Sequence, residues 1–517
     1  MIVDKVSQSL LLKLRQPEAV TSVVPGSDQV DYQGTPITRV PFSFESAKIL
    51  RNIGLNAPSP ILHQYSWPGR FTPYDHQKET SAFMTMNRRC IVLNEMGLGK
   101  SLSFLWAADY LMSIGVIRKA IIVAPISTMY SVWANEITAH FFHRNCQVLH
   151  GSRQKRLDRL ADPDADFYII NHDGLKTVRD SLKKRDDIDL WGLDEAAVFR
   201  NPQTNRFKML TSLLPKGAWL WMMTGTPCPT GPTDAWALAK LLRNPKAPKY
   251  QSAFRDMTMR QITTYKWVPK PDAYATAYSV LQPGIRYTKA DCLKDLPPLT
   301  FQLRQSDMTT EQQRLYREMQ RELVMEVGAN EITAANAAVK LLKLLQVSTG
   351  AVYDEDSQTL KVDARHRLEV LRELVEESAR KVVVFVPFTA ALEAVQSYLS
   401  KWWTVARVDG STSVTQRRQI FQDFQNSDKP EVIVAHPRTT AHGLTLTAAD
   451  HTIWYAPIFS LEAFEQANNR MDRPGQNWPM TISMISANKL ERELYKALYN
   501  KQKMQDSVLS LYKNLTA

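Results

Sequence analysis

Twice along this chain, short apolar runs suited to buried strands alternate with longer stretches of helical periodicity, and few folds accommodate that pattern. The first series of runs covers residues 90–94, 119–125, 166–171, 190–194 and 219–224, and the second covers 381–386, 404–409, 431–436, 451–455 and 480–485. Apolar strands separated by amphipathic helices predict parallel sheets covered by those helices. The expected fold class is therefore α/β, with two parallel-sheet lobes. A length of 517 residues suits about three folding units.

The first lobe is expected over residues 67–245, and the second, closing with a C-terminal helix, over 301–517. Between them, residues 246–300 hold many prolines and little periodicity, as in KAPKY, VPKPDAY and LPPLTF, which predicts a linker or insertion. Residues 1–66 lie outside the alternation and carry the turn signals PGSDQ, GTPIT and NAPSP, which suggests a small accessory domain.

With 44% hydrophobic and 22% charged residues, the chain has the balance of a globular protein rather than a disordered one. Lys plus Arg outnumber Asp plus Glu by 64 to 52, a net charge of +12 that suits a polyanionic partner. Many basic surfaces bind nothing, so charge supports such a partner without establishing it. Cys90, Cys146, Cys228 and Cys292 lie far apart and form no CxxC pair, which argues against a zinc site or a disulfide framework. The N-terminus lacks the apolar core of a signal peptide, and no apolar run reaches the ~18 residues of a membrane span. A reducing, cytoplasmic location without membrane association is expected.

The chemistry begins at residues 90–101, CIVLNEMGLGKS, where a strand enters a glycine-bearing loop and then a helix. Within Met96, Gly97, Leu98, Gly99, Lys100 and Ser101, the glycines let backbone N–H groups approach phosphates. Lys100 would reach the β and γ phosphates, and Ser101 would hold magnesium. Asn94 stands where the general pattern has its first glycine, so the bland alternative is a glycine-rich helix start with a solvated lysine.

Next, LWGLDEAA (190–197) runs an apolar strand into two carboxylates. Asp194 suits a magnesium ligand facing the phosphate loop, and Glu195 suits orientation or deprotonation of the attacking water. Most Asp-Glu pairs are solvated loops; the strand leading into this one favours the catalytic reading. GAWLWMM then ends in TGTP (224–227), a strand-end loop placed to couple nucleotide to lobe movement, or an ordinary turn. In the second lobe, QANNRMDRPGQ sets Gln466, Arg470 and Arg473 at spacings of four and three, expected on one helical face. Arginines presented there to a γ-phosphate contribute on the order of 10³ to 10⁵ in rate in related systems. A solvated basic helix is the plainer alternative.

NEMGLGKS, VAPISTMYSVWANEI, IRYTKADCLKDLPPLTFQLRQSDMTTEQQRLYREM, RVDGSTSVTQRRQIFQDF, HGLTLTAAD and QANNRMDRPGQ follow one another in this order. The series resembles the superfamily-two helicases, and within them the SWI/SNF-type DNA translocases, over roughly residues 70–505. The resemblance implies two RecA-like lobes with an ATP cleft between them. It implies ATP and Mg²⁺ as cofactors, Gln77 of FTPYDHQ as the adenine-reading glutamine, and Lys100, Ser101, Asp194 and Glu195 as catalytic residues. Arg470 and Arg473 are the implied arginine fingers, and Ser127, Thr224, Gly443 and Thr447 lie where DNA-backbone contacts are expected.

Two departures bear on the coupling of hydrolysis to DNA: Ala197 replaces the histidine of DEAH, and Thr445 stands where asparagine is usual. FSFESAKILRNIGLNAPSPILHQYSWPG (42–69), before FTPYDHQ, resembles small phage helicases of this family. That implies a role in replication, recombination or repair in a bacterial host cytoplasm, with a protein partner from those processes. The function implied is a DNA-stimulated ATPase translocating on duplex or forked DNA. The alternatives are a strand-separating DNA or RNA helicase, whose pin would fall in residues 246–300, and an ATP-switched binding module without motor activity.

Overall fold

Trp219–Met223, WLWMM, is buried at every position, as a strand covered on both faces must be. In the computed structural model it lies inside a seven-stranded sheet. The structure describes residues 1–500 except 5, 33, 264–266, 294–295, 327–333, 354–358 and 440–444; the side chains of 322–326, 334–336, 351–353 and 359–360 are likewise not described. The chain divides into two compact units, residues 1–292 and 293–517.

The large sheet of the first unit runs in the order Gly284–Ile285, Arg89–Val92, Trp219–Met223, Ile188–Asp194, Lys119–Ala124, Phe167–Asn171 and Cys146–Val148. Every pairing is parallel. Alternate side chains feed two cores: Ile91, Val123, Leu193 and Met222 point to one, and Val92, Ile122, Leu190 and Trp221 to the other. The helix Lys100–Ser113 is buried from Leu102 to Met112 without a break, which fixes its first turn at the carboxyl ends of the strands.

Ahead of this sheet, four antiparallel strands run in the order Ile2–Asp4, Ser9–Leu12, Thr35–Pro41 and Asp28–Tyr32. With the helix Phe44–Asn52 they enclose their own core around Leu10, Leu12, Val40 and Leu50. Ser43 caps that helix by accepting from the Ser46 amide.

Of residues 246–300, expected to be a linker or insertion, those up to 292 fold with the first unit. They carry the helices Gln251–Thr258 and Ala273–Val280 and a hairpin of Met259–Gln261 with Trp267–Pro269, and Gly284–Ile285 joins the large sheet beside Arg89–Val92. Phe254, Ala277, Val280 and Leu281 complete one of that sheet's cores. The prolines mark turns and strand ends, and the apolar anchors are too sparse to produce a clear period. The first unit therefore runs through residue 292, while residues 299–300 open a strand of the second.

The sheet of the second unit is six-stranded and parallel throughout, in the order Leu299–Gln305, Met480–Ser486, Ala449–Trp454, Lys381–Phe385, Val432–Ala435 and Val405–Val408. Both units are α/β, as the alternating runs predict. Among the described residues, no helix is long and apolar enough to cross a membrane.

Candidate active site

The strand Arg89–Val92 delivers the phosphate loop, and left-handed backbone at Gly97 (φ +89°) and Gly99 (φ +70°) turns it into the helix that begins at Lys100. Lys100 Nζ donates to the carbonyls of Asn94 at 2.8 Å and Glu95 at 3.1 Å, closing the loop on itself. Gln77 lies against the loop: a Cβ on Gly99 would stand 2.0 Å from its Nε2. The Gln77 Oε1 accepts from the Tyr74 amide at 3.0 Å, and His76 Nε2 pairs with the Leu98 carbonyl at 3.1 Å. The residue expected to read adenine and the loop expected to hold phosphate are thus neighbours.

Asn94, which stands where the general pattern has glycine, is fully buried and bridges two elements. Its Nδ2 donates to Thr80 Oγ1 at 2.9 Å and its Oδ1 accepts from the Tyr287 amide at 3.0 Å. Glu95 adds to the same seam, donating its amide to the Tyr287 carbonyl at 3.0 Å and accepting the Lys289 amide on its carboxylate at 2.9 Å. An asparagine here pins the loop to its neighbours where a glycine would leave it loose.

Ile188–Asp194 ends at the carboxylates. Asp194 Oδ2 accepts the indole N–H of Trp133 at 2.9 Å and the Thr128 hydroxyl at 3.4 Å, and Oδ1 accepts the Glu195 amide at 3.1 Å. Burial pushes the Asp194 carboxyl above the usual carboxylate range, opposed by the Trp133 hydrogen bond and by the charge of Lys100. Glu195 has φ +51°, a left-handed backbone that is rare for a non-glycine residue and concentrates at functional positions. Beneath it, His172 Nε2 donates to the Asp194 carbonyl at 3.1 Å, and burial lowers that imidazole to about 4. The imidazole is therefore neutral, with its proton on Nε2.

Thr224 is buried, its Oγ1 accepts the Thr226 amide at 3.3 Å, and a Cβ on Gly225 would lie 3.5 Å from Met96 Cγ. The TGTP loop thus abuts the phosphate loop. Ser127 follows the strand Lys119–Ala124 at the same end of the sheet, its carbonyl accepting from Ser131 Oγ at 2.6 Å. Gln77, the loop from Met96 to Ser101, Asp194, Glu195, Ser127 and Thr224 are gathered at the carboxyl ends of parallel strands, where open α/β sheets place their ligands. Ala197 is buried in the short turn that follows. Sequence reasoning missed Trp133, His172 and Tyr287; the one available signal was a histidine directly after an apolar strand.

In the second unit, the expectation of a single helical face is corrected. The helix Leu461–Asn468 contains Gln466, whose Nε2 donates to Glu462 Oε1 at 3.1 Å, but Arg470 and Arg473 lie beyond its end. The backbone tightens there, with Arg470 N bonding the Ala467 carbonyl, and Pro474 disfavours helix at Arg473. Arg473 Nε returns to the Asn469 carbonyl at 2.8 Å, its Nη1 reaches Thr445 Oγ1 at 3.5 Å, and burial lowers the guanidinium to about 10. Thr445, one of the two departures, thus meets an implied finger. Thr447 Oγ1 accepts from Gln425 Nε2 at 2.9 Å, and Gly443 lies outside the described residues. A cavity of about 270 Å³, walled by Phe388, His436, Arg438 and Phe459, opens at the carboxyl ends of this sheet.

A family model described as the SNF2-related domain matches residues 76–365, and one described as the helicase conserved C-terminal domain matches 366–475. Protein p41 of Acyrthosiphon pisum secondary endosymbiont phage 1 is 23% identical over 480 residues, spanning 86% of this chain and 99% of that protein. The ATP-dependent DNA helicase DDM1 of Arabidopsis thaliana is 22% identical over 453 residues, 81% of this chain but 59% of the longer relative. The Sulfolobus solfataricus SWI2/SNF2 ATPase core, solved in complex with dsDNA, aligns at a TM-score of 0.42 with 21% identity, covering 87% of this chain and 94% of that one. Because the first family match spans more than half of its length and the second adjoins it, the chain belongs to the SNF2-related family of helicase-like ATPases.

Proposed function

We propose that this protein is a DNA-stimulated ATPase that translocates along duplex or forked DNA in replication, recombination or repair, alongside a protein partner from those processes. The observation that carries this reading is the gathering of Lys100, Asp194 and Glu195 beside the loops of Ser127 and Thr224 at one end of one sheet. The matched relatives, one of them named an ATP-dependent DNA helicase, support it.

In this reading the phosphates of ATP lie on the backbone N–H groups of the loop from Gly97 to Ser101, and Lys100 exchanges its carbonyl partners for them. Gln77, already against Gly99, reads the adenine. Asp194, whose carboxyl feels the charge of Lys100 at the start of the phosphate-loop helix, and Ser101 in the first turn of that helix supply the hard oxygen donors that magnesium takes; they would hold it, and it would supply charge neutralisation. Glu195 orients the attacking water, its left-handed backbone turning the residue off the line of the strand. Arg470, Arg473 and Gln466 are the second unit's candidates for meeting the negative charge of the transition state. Ser127, Thr224, Gly443 and Thr447 contact the DNA backbone.

Strand separation is a second reading, favoured by the hairpin of Met259–Gln261 and Trp267–Pro269. Ile262, past its first strand, is 51% exposed, and Arg255 stacks at 4.1 Å over Trp267, which pairs with Gln261 at the loop end of the hairpin.

The deciding experiment is steady-state ATP hydrolysis without nucleic acid and with duplex, forked or single-stranded DNA or RNA, with Lys100→Ala as the blank. Stimulation by duplex or forked DNA supports translocation. Stimulation by single strands or RNA favours strand separation, and turnover indifferent to nucleic acid overturns both.

A further inference from the structure

After the strand Lys119–Ala124 the chain enters a π-helical turn, Met129–Ala134, before the α-helix Asn135–His140. Turns of this kind are rare and frequently lie at functional sites. Met129 and Trp133 are the residues of this turn that are buried, and Trp133 is the one with a polar atom. It is fully buried, edge-on to Phe104 of the phosphate-loop helix at 5.5 Å. A buried indole N–H requires an acceptor, and this one donates at 2.9 Å to Asp194 Oδ2, the oxygen that the Thr128 hydroxyl also approaches at 3.4 Å. The same turn is tied back towards the sheet end: Ser131 Oγ donates to the Ser127 carbonyl at 2.6 Å, and the Thr128 hydroxyl shares its one proton between the Pro125 carbonyl at 3.0 Å and Asp194 Oδ2 at 3.4 Å.

We propose that Trp133, seconded by Thr128, is a positioning residue that sets the Asp194 carboxylate according to the state of the turn beginning at Ser127. This rests on the reading of Asp194 as the magnesium ligand and of Ser127 as a nucleic-acid contact. A phosphate backbone drawn to Ser127 loads the turn, the turn carries the indole N–H with it, and Asp194 Oδ2 follows. Stimulation of hydrolysis by DNA then has a physical route only a few side chains long. If Trp133 merely filled the core, its ring alone would matter, and the destination of its N–H would be incidental.

Trp133→Phe separates the two accounts, because it keeps an aromatic ring against Phe104 and removes the donor. In the full chain, the fold stimulation by duplex DNA is expected to drop about tenfold or more, the effect of losing one hydrogen bond to a charged acceptor. Duplex affinity and the circular-dichroism spectrum are expected to match the wild type. Binding of a fluorescent ATP analogue is expected to be unchanged without magnesium and to lose about tenfold of its magnesium-dependent gain. Thr128→Val should move both readouts in the same direction by less, and it decides the matter if Trp133→Phe fails to fold. Wild-type stimulation and wild-type magnesium dependence in a folded Trp133→Phe protein would overturn the proposal. A wild-type enzyme that no nucleic acid stimulates would instead bring down the functional reading, and this coupling with it.

Discussion

At Gly99 two constraints meet: a left-handed backbone and a space already filled by the Gln77 amide. Gly99→Ala incurs about 1–2 kcal/mol of backbone strain and also displaces Gln77. The strain lowers stability without unfolding the protein, and the displacement of Gln77 is what is expected to lower ATP affinity, by about tenfold. Titration with a fluorescent ATP analogue checks this, and wild-type affinity would remove Gln77 and the loop from the nucleotide site. Residues of this loop are legible in sequence because their chemistry is local. Trp133 and His172 are not, since they meet Asp194 from 61 and 22 positions away, and only the place of His172 directly after an apolar strand hints at it. His172 carries a pH signature. Its folded value of about 4 lies below the ordinary 6.5, so in that window the unfolded chain takes up a proton that the native protein refuses. Stability from this group is complete above pH 6.5 and is lost as pH falls towards 4, by about 3 kcal/mol at most. Denaturant melts from pH 7 to pH 4 should show a shallower decline for His172→Gln than for the wild type. Parallel declines would place the acid sensitivity elsewhere.

Elements were legible where a period ran long enough to register. The inner strands of both sheets announce themselves as continuous apolar runs, whereas Cys146–Val148, Leu299–Gln305 and the segment 246–300 do not, because short or half-exposed edge strands and a few anchors such as Phe254 and Val280 leave no period to count. The helix carrying Gln466 was readable, but its end was not. Spacings of four and three suit a helix equally well whether or not it continues; Pro474 disfavours helix at Arg473, and the bonds at Asn468 to Arg470 show that it has already stopped. Long-range ion pairs leave no sequence trace either. Arg367 and Glu491, 1% and 0% exposed at their side chains, pair at 2.5 Å and fasten the helix Arg365–Glu376 to the helix Lys489–Tyr499. Arg367 also donates to the Tyr455 carbonyl, and Glu491 accepts from Ser348 Oγ and the Ala487 amide. Arg367→Met leaves a buried carboxylate unpaired and is expected to destabilise the second unit by about 3–5 kcal/mol. Pairing it with Glu491→Gln should recover part of that loss, because the buried charge is then gone. Calorimetry of the three proteins measures both steps. A single variant as stable as the wild type would mean that the pair contributes nothing net.

The two units have separate cores, and the net charge of +12 belongs to the chain that joins them. A phosphate backbone bound at the loops of Ser127, Thr224 and Thr447 would displace condensed counterions, and each phosphate neutralised makes log affinity fall with log salt at a slope of about 0.9 for duplex DNA. Contacts with several phosphates therefore give a steep dependence, while recognition through base edges adds sequence preference without adding slope. Duplex affinity is expected to drop at least about tenfold between 50 and 200 mM salt, with little difference between unrelated sequences of equal length. Fluorescence anisotropy with two scrambled duplexes across that range checks both halves. A flat salt response would deny the electrostatic footing of the nucleic-acid reading. A steep response with strong sequence preference would keep the charge argument but replace a motor that tracks any duplex with a protein that seeks a site, and the search for contacts would then move from Ser127 and Thr224 to side chains able to read bases.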